Sequence, residues 1–153
     1  MHRYTQGTEA QPAVGVDLAN VPNYGDSFRL LSLRVTLTTS AVVANRYPHF
    51  QYVTPSGAVL FETVPSTAQV ASKSTVYQLT AGNGAPNEGS AVNDNVSGIA
   101  APDFWLPAGT KIRTVTTAID VGDQWSAVYY SMLVGEEQEH LHLLSEIVRS
   151  LGG

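Results

Sequence analysis

Cysteine is absent from this chain of 153 residues, which removes disulfides, thiolate chemistry and cysteine-held zinc or iron–sulfur sites at once. Stability therefore has to come from packing or from association with other chains. Charge is scarce as well, with Asp, Glu, Lys and Arg making up 14% of the residues against about 25% in ordinary domains. A surface so poor in charge is built from Ser, Thr, Asn and Gln, or is covered by partners. The net charge of −5 and the scattered Arg and Lys offer no attraction to phosphate, so direct nucleic-acid binding is not expected. No apolar run nears the roughly 20 residues of a membrane helix, and Met1-His2-Arg3-Tyr4-Thr5-Gln6 lacks the apolar centre of a signal peptide. No membrane partner is expected, and synthesis in a cytoplasm is.

Catalytic patterns are missing too. Serines are plentiful, but none lies in a Gly-x-Ser-x-Gly elbow, and the histidines stand at positions 2, 49, 140 and 142. On a helix His140 and His142 point about 200° apart and cannot share an ion. His140 with Glu136 or Glu137 is the better metal clamp, yet a solvated acidic face is the simpler account. Asp120 and Asp123 flank Gly122, and with Asp103 they make a carboxylate pair only if the fold gathers them; a tight turn explains them more simply. Asn93-Asp94-Asn95 lacks calcium-loop spacing, and no glycine-rich phosphate cradle opens a helix. Neither an enzyme nor a cofactor is expected, and no metal site.

What the chain does have is alternation. From Ser27 to Thr39, Leu31, Leu33, Val35 and Leu37 face one way and Ser32, Arg34, Thr36 and Thr38 the other, which is the period of a half-buried strand. Phe50-Gln51-Tyr52-Val53, the turn Pro55-Ser56-Gly57 and Val59 to Thr63 read as a hairpin. Further strands are predicted over Ser74 to Leu79, Lys111 to Thr117 and Trp125 to Val134, the last covered on both faces and hence central. Seven or eight short strands with turns between them predict an all-β fold, a jelly-roll-like antiparallel β-sandwich over residues 26–135.

Both ends depart from this pattern. Residues 1–25 are rich in Gly, Pro, Asn and Gln and keep no period, which predicts an extended N-terminal arm, either disordered or ordered across a neighbouring subunit through Val14, Val16 and Leu18. Residues 136–153 carry acids first, Arg149 late and two glycines last, the polarity of a C-terminal α-helix. Leu141, Leu144, Val148 and Leu151 form its stripe, widened by Leu143 and Ile147. Such a helix docks on its own sandwich or meets copies of itself in a dimer or trimer.

Ala81 to Pro102 reads as a long loop, and loops of that length in compact domains are often functional. Asn83, Asn93 and Asp94, with Phe104 and Trp105 beside them, are the candidate binding loop. Phe104, Trp105, Trp125, Tyr129 and Tyr130 stack on a sugar in one reading and close the core or an interface in the other.

Arg29-Leu30-Leu31-Ser32-Leu33-Arg34-Val35-Thr36-Leu37, Ala44-Asn45-Arg46, Phe104-Trp105-Leu106-Pro107-Ala108-Gly109-Thr110-Lys111-Ile112-Arg113-Thr114, Gly122-Asp123-Gln124-Trp125-Ser126 and Met132-Leu133-Val134-Gly135-Glu136-Glu137 together resemble small β-sandwich virion structural proteins of tailed bacteriophages. The likeness runs from Ser27 to Glu137 and lies in turns and strands. It implies a head decoration (cement) protein or minor structural component, assembled in the host cytoplasm into the virion. Its partners would be the major capsid protein or another virion protein, and further copies of itself. Members of the group end soon after a Val-Glu-Glu-like stretch, whereas here Gly135 interrupts it and a helix is added. The alternative is a tail- or fibre-associated module that binds a cell-surface glycan through the 81–105 loop.

Overall fold

Period-two stretches of β-branched, aromatic and leucine residues become strands because alternate side chains leave a strand on opposite faces. The computed structural model describes residues 3–21, 25–81, 96–135 and 147–151. Its strands are β1 (Arg3–Glu9), β2 (Phe28–Thr38), β3 (Tyr47–Val53), β4 (Val59–Thr63), β5 (Ser74–Ala81), β6 (Val96–Ala101), β7 (Lys111–Thr117), β8 (Gln124–Trp125) and β9 (Val128–Val134). They form two sheets: a larger one ordered β1-β9-β2-β5-β6, with β8 also on β2, and a smaller one ordered β4-β3-β7. A short helix spans 147–151. The fold is an all-β, two-sheet sandwich.

The core lies between the sheets. Phe50 from the smaller sheet meets Tyr77 and Trp125 from the larger at ring separations of 5.7 and 6.0 Å, and Tyr77 and Trp125 stand 5.9 Å apart. This aromatic triangle is walled by Leu33, Val35, Leu37, Leu79, Ile112 and Val128, all buried. Burial of that apolar surface, at about 25 cal/mol per Å², is the main favourable term.

Five expectations need correction. The sandwich is mixed rather than antiparallel, because β5 and β6 run parallel, from Val76↔Val96 to Ala81↔Ala101. The far end of the expected 81–102 loop is therefore a strand. In β2 the register against β9 shifts between Leu30 and Ser32. Leu31 is the extra residue of a bulge, so Phe28 and Leu30 enter the core in its place while Leu31 is only half-buried. The predicted strand from Trp125 to Val134 is broken into β8 and β9, where the Ser126 hydroxyl accepts from the Thr36 amide at 2.9 Å.

The fifth concerns the N-terminal region, whose residues 3–9 and 17–21 lie against the two sheets of their own chain. β1 pairs antiparallel with β9 from Arg3↔Val134 to Glu9↔Val128. Residues 17–21 then run along β7, with Val21 bridged to Ile112 and the Leu18 amide donating to Thr114 Oγ1 at 2.9 Å. Leu18 and Val21 are core residues. The Asp17 carboxylate anchors the segment, accepting from Thr114 Oγ1, Thr116 Oγ1 and the Thr116 amide at 2.8, 2.6 and 2.9 Å, and from Trp125 Nε1 at 3.1 Å.

The predicted hairpin is present as β3–β4. Pro55 takes the first corner position, where its fixed φ suits a turn, and Gly57 closes it at a φ of 93° with its amide donating to Thr54 O at 2.9 Å.

Candidate interaction site: a valine rim on a buried ion pair

At one end of the sandwich three loops adjoin: residues 12–16, the β2–β3 connection 39–46 and the β7–β8 connection 118–123. They are fastened by one ion pair. Arg46 donates from Nε to Asp123 Oδ2 at 3.0 Å and from Nη2 to Asp123 Oδ1 at 3.1 Å, and neither side chain has exposed surface. The remaining guanidinium donors reach Val42 O and Ala44 O at 2.8 and 2.9 Å and Ser40 Oγ at 3.2 Å. On the other partner, the Ser40 amide donates to Asp123 Oδ1 at 2.8 Å and the Asp120 amide to Oδ2 at 2.9 Å. Burial pushes the Asp123 carboxyl upward, but the hydrogen bonds from Arg46, Ser40 and Asp120 and the guanidinium charge outweigh it and hold the group below the usual carboxylate range. Asp120 is held low by hydrogen bonds from the Gly122 amide and the Ser40 hydroxyl.

The third loop is tied in through its backbone. The Gly15 amide donates to Asp123 O at 2.7 Å, and Gly15 has a φ of 77°. A Cβ there would stand 2.9 Å from the Val121 Cα, so glycine is required both by conformation and by space. Ser72, whose amide donates to Ser40 O at 2.8 Å, and Ala118 also take left-handed backbone, at φ of 56° and 58°. Such conformations cost about 1 kcal/mol or more per residue outside glycine.

This frame holds apolar side chains out to solvent. Val43 is 92% and Val121 85% exposed, and Val14, Val16 and Val42 are exposed around them. Single exposed apolar residues are unremarkable, but five exposed valines on three interlocked loops are a candidate interaction surface. Chemically it can bury apolar area against a partner. Among the described residues no group of three or more His, Cys, Asp or Glu side chains is placed to hold a metal ion.

The residues singled out from sequence fall in different places. Val14 and Val16 stand on the rim, whereas Leu18, expected at an intersubunit contact, is in the chain's own core because it covers the β7 edge. Val148 and Leu151 are exposed on the 147–151 helix together with Ile147, while Leu141 and Leu144 lie outside the described residues, as do Asn83, Asn93, Asp94, His140 and His142. Phe104 is exposed at its surface and meets Phe61 edge-on at 6.1 Å, and Trp105 is half-buried. Asp103 pairs with Arg29 rather than with Asp120 or Asp123, so the conceivable carboxylate pair is not assembled. Asp120 and Asp123 do shape the expected turn, through Asp123 N to Asp120 O at 2.9 Å. Sequence reasoning passed over Arg46, Asp17, Val42, Val43 and Val121. The signal available was Ala41-Val42-Val43-Ala44, an apolar run where a polar loop is the rule.

On the outer face of the smaller sheet, Arg113 donates to Gln51 Oε1 at 2.9 Å and Gln51 to Glu62 Oε2 at 2.6 Å, with His49 Nδ1 3.2 Å from Glu62 Oε1. Hydrogen bonds from Gln51 and His49 hold Glu62 below its ordinary range. This exposed ladder satisfies itself across the three strands.

No family model matches the chain, and no curated protein is similar to it. Among solved structures, a chain in the structure of infectious bursal disease virus Gx strain matches with 11% identity and a TM-score of 0.40, over 87% of this chain and 32% of that one. This chain thus spans about a third of the length of the protein it matches.

Proposed function

We propose that the chain is a non-enzymatic structural subunit of a virion, most specifically a capsid decoration protein that stabilises the head by bridging subunits through its valine rim. The observation that carries this reading is the exposure of Val43 and Val121 on loops locked by the fully buried Arg46–Asp123 pair. A rigid apolar surface loses little conformational freedom on docking, so more of its burial appears as affinity. Each valine removed from water contributes about 1.5 kcal/mol, and repeated attachment over a symmetric lattice multiplies weak contacts through effective concentration. The turn-and-strand resemblance from Ser27 to Glu137 supplies the class, and the low charge of the chain suits a surface that is covered in the assembly. The partner is the major capsid protein or another virion protein, and the exposed Ile147, Val148 and Leu151 add a second apolar contact.

Cryo-electron microscopy of particles carrying this protein tests the reading. Density at capsid-subunit junctions with the rim against the shell is expected. Val43→Asp with Val121→Asp should leave the fold intact and strip the protein from the particle. Density confined to a tail or fibre would replace decoration with host recognition, and absence from particles would overturn the virion assignment.

A further inference from the structure

β1 is an edge strand: β9 pairs one side of it, and among the described residues no strand pairs the other. Edges left open in this way usually carry a proline, a bulge or a central charge that blocks further pairing. β1 has none of these. Its register against β9 runs without a shift over Arg3–Glu9, its five inner residues Tyr4-Thr5-Gln6-Gly7-Thr8 are uncharged, and its two charges stand at the ends with opposite sign.

That arrangement is self-complementary in one register and one direction. In an antiparallel pair of two β1 strands centred on Gln6, Arg3 of each copy opposes Glu9 of the other, Tyr4 opposes Thr8, Thr5 opposes Gly7, and Gln6 opposes itself. A parallel pair would set Arg3 against Arg3 and Glu9 against Glu9, and an antiparallel pair with another centre would lose both charge matches. Opposite charges directly across a pair stabilise it and like charges destabilise it, by about 0.2–1 kcal/mol each. A twofold contact of this kind is the commonest way in which identical chains associate.

We propose that β1 is a dimerisation edge: two copies of this chain pair antiparallel through β1 about a twofold axis at Gln6, joining their larger sheets into one. The occupant of the edge is a second copy, and the proposal stands whether or not the protein belongs to a virion. Residues opposite one another share a face, so Gln6 and Tyr4, which are exposed and hydrogen-bonded to each other at 2.8 Å, lie on the outer face of the joined sheet.

The absence of native cysteine makes the test direct. Gln6→Cys puts two thiols across the twofold axis, where directly opposed Cα atoms are about 4.5–5.5 Å apart and a disulfide can form. Tyr4→Cys puts its two copies four residues out of step, roughly 13 Å apart, beyond the ~7 Å limit. Full-length protein is oxidised under mild conditions and run without reductant, alongside sedimentation velocity of the unmodified chain. The expected result is a dimer for the unmodified chain, a covalent dimer for Gln6→Cys, monomer for Tyr4→Cys alone, and covalent dimer again when Tyr4→Cys and Thr8→Cys are combined. Gln6→Lys, which opposes two ammonium groups on an exposed position, should weaken the dimer by up to about fivefold. A monomeric unmodified chain, equal crosslinking at positions 4 and 6, or crosslinking at 4 without 6 would each overturn the proposal.

Discussion

Asp123→Asn preserves the shape of the side chain that fastens the rim and removes its charge. Each carboxylate oxygen accepts two hydrogen bonds, Oδ1 from the Ser40 amide and Arg46 Nη2, Oδ2 from Arg46 Nε and the Asp120 amide. The asparagine amide accepts at one oxygen alone, so its NH2 group meets two donors while the fully buried Arg46 loses its counter-charge. Breaking one partner of a buried pair costs about 3–5 kcal/mol, a large share of the roughly 5–15 kcal/mol that holds a domain folded. With a urea slope near 2 kcal/mol per molar, the unfolding midpoint should fall by about 1.5–2.5 M. The pH dependence has a definite sign. Asp123 lies below the usual carboxylate range when folded, so its contribution is complete above the unfolded value of roughly 4 and is lost as pH falls from there through the folded value. The variant has no such group, and the gap between it and the parent should close on acidification. A midpoint shift worth less than about 1 kcal/mol, or a gap that stays constant into acid, would refute the reasoning.

Three further outcomes follow from the packing. The Tyr52 hydroxyl is buried with no hydrogen-bond partner among the described residues, so Tyr52→Phe should be neutral or stabilise by up to about 1 kcal/mol, whereas Tyr77→Phe strips Gln69 Oε1 of a 2.8 Å donor and should cost about 1–3 kcal/mol by thermal unfolding. Gly15→Ala forces a left-handed backbone and a clash with Val121; a loss of about 1–3 kcal/mol is expected in denaturant, with faster amide exchange at residues 118–123. Removal of residues 147–151 should leave the sandwich's unfolding midpoint unchanged, since Ile147, Val148 and Leu151 are exposed, and a drop of more than a few tenths of a kcal/mol would show that the helix packs on its own domain.

Strands with clean alternation were legible: β2, the β3–β4 hairpin, β5 and β7 follow the period because one face is buried and the other wet. Leu31 was misplaced because a bulge adds a residue without marking the sequence. β6 was hidden since Val96-Ser97-Gly98-Ile99-Ala100-Ala101 is a weak strand former held by its parallel neighbour, a tertiary cause. β1 is polar on both faces, and nothing within seven residues announces a partner on β9. Of the rim, Val14 and Val16 were singled out from the sequence, whereas Val42, Val43 and Val121 were not. Arg46 and Asp123 stand far apart in the chain, and a turn rule accounts for Asp123 completely until the guanidinium beside it is seen.

The pairing of β1 with β9 also sets the order in which the protein can be made. Positions 3–9 find their partners at positions 128–134, so β1 waits for the synthesis of β9 before it can pair. β9 in turn needs β2 beside it, and contacts between such distant segments are the slowest to form. Closure of the larger sheet is therefore expected late in folding, and a nascent chain interrupted before residue 128 holds β1 without its β9 partner, open to any edge it meets.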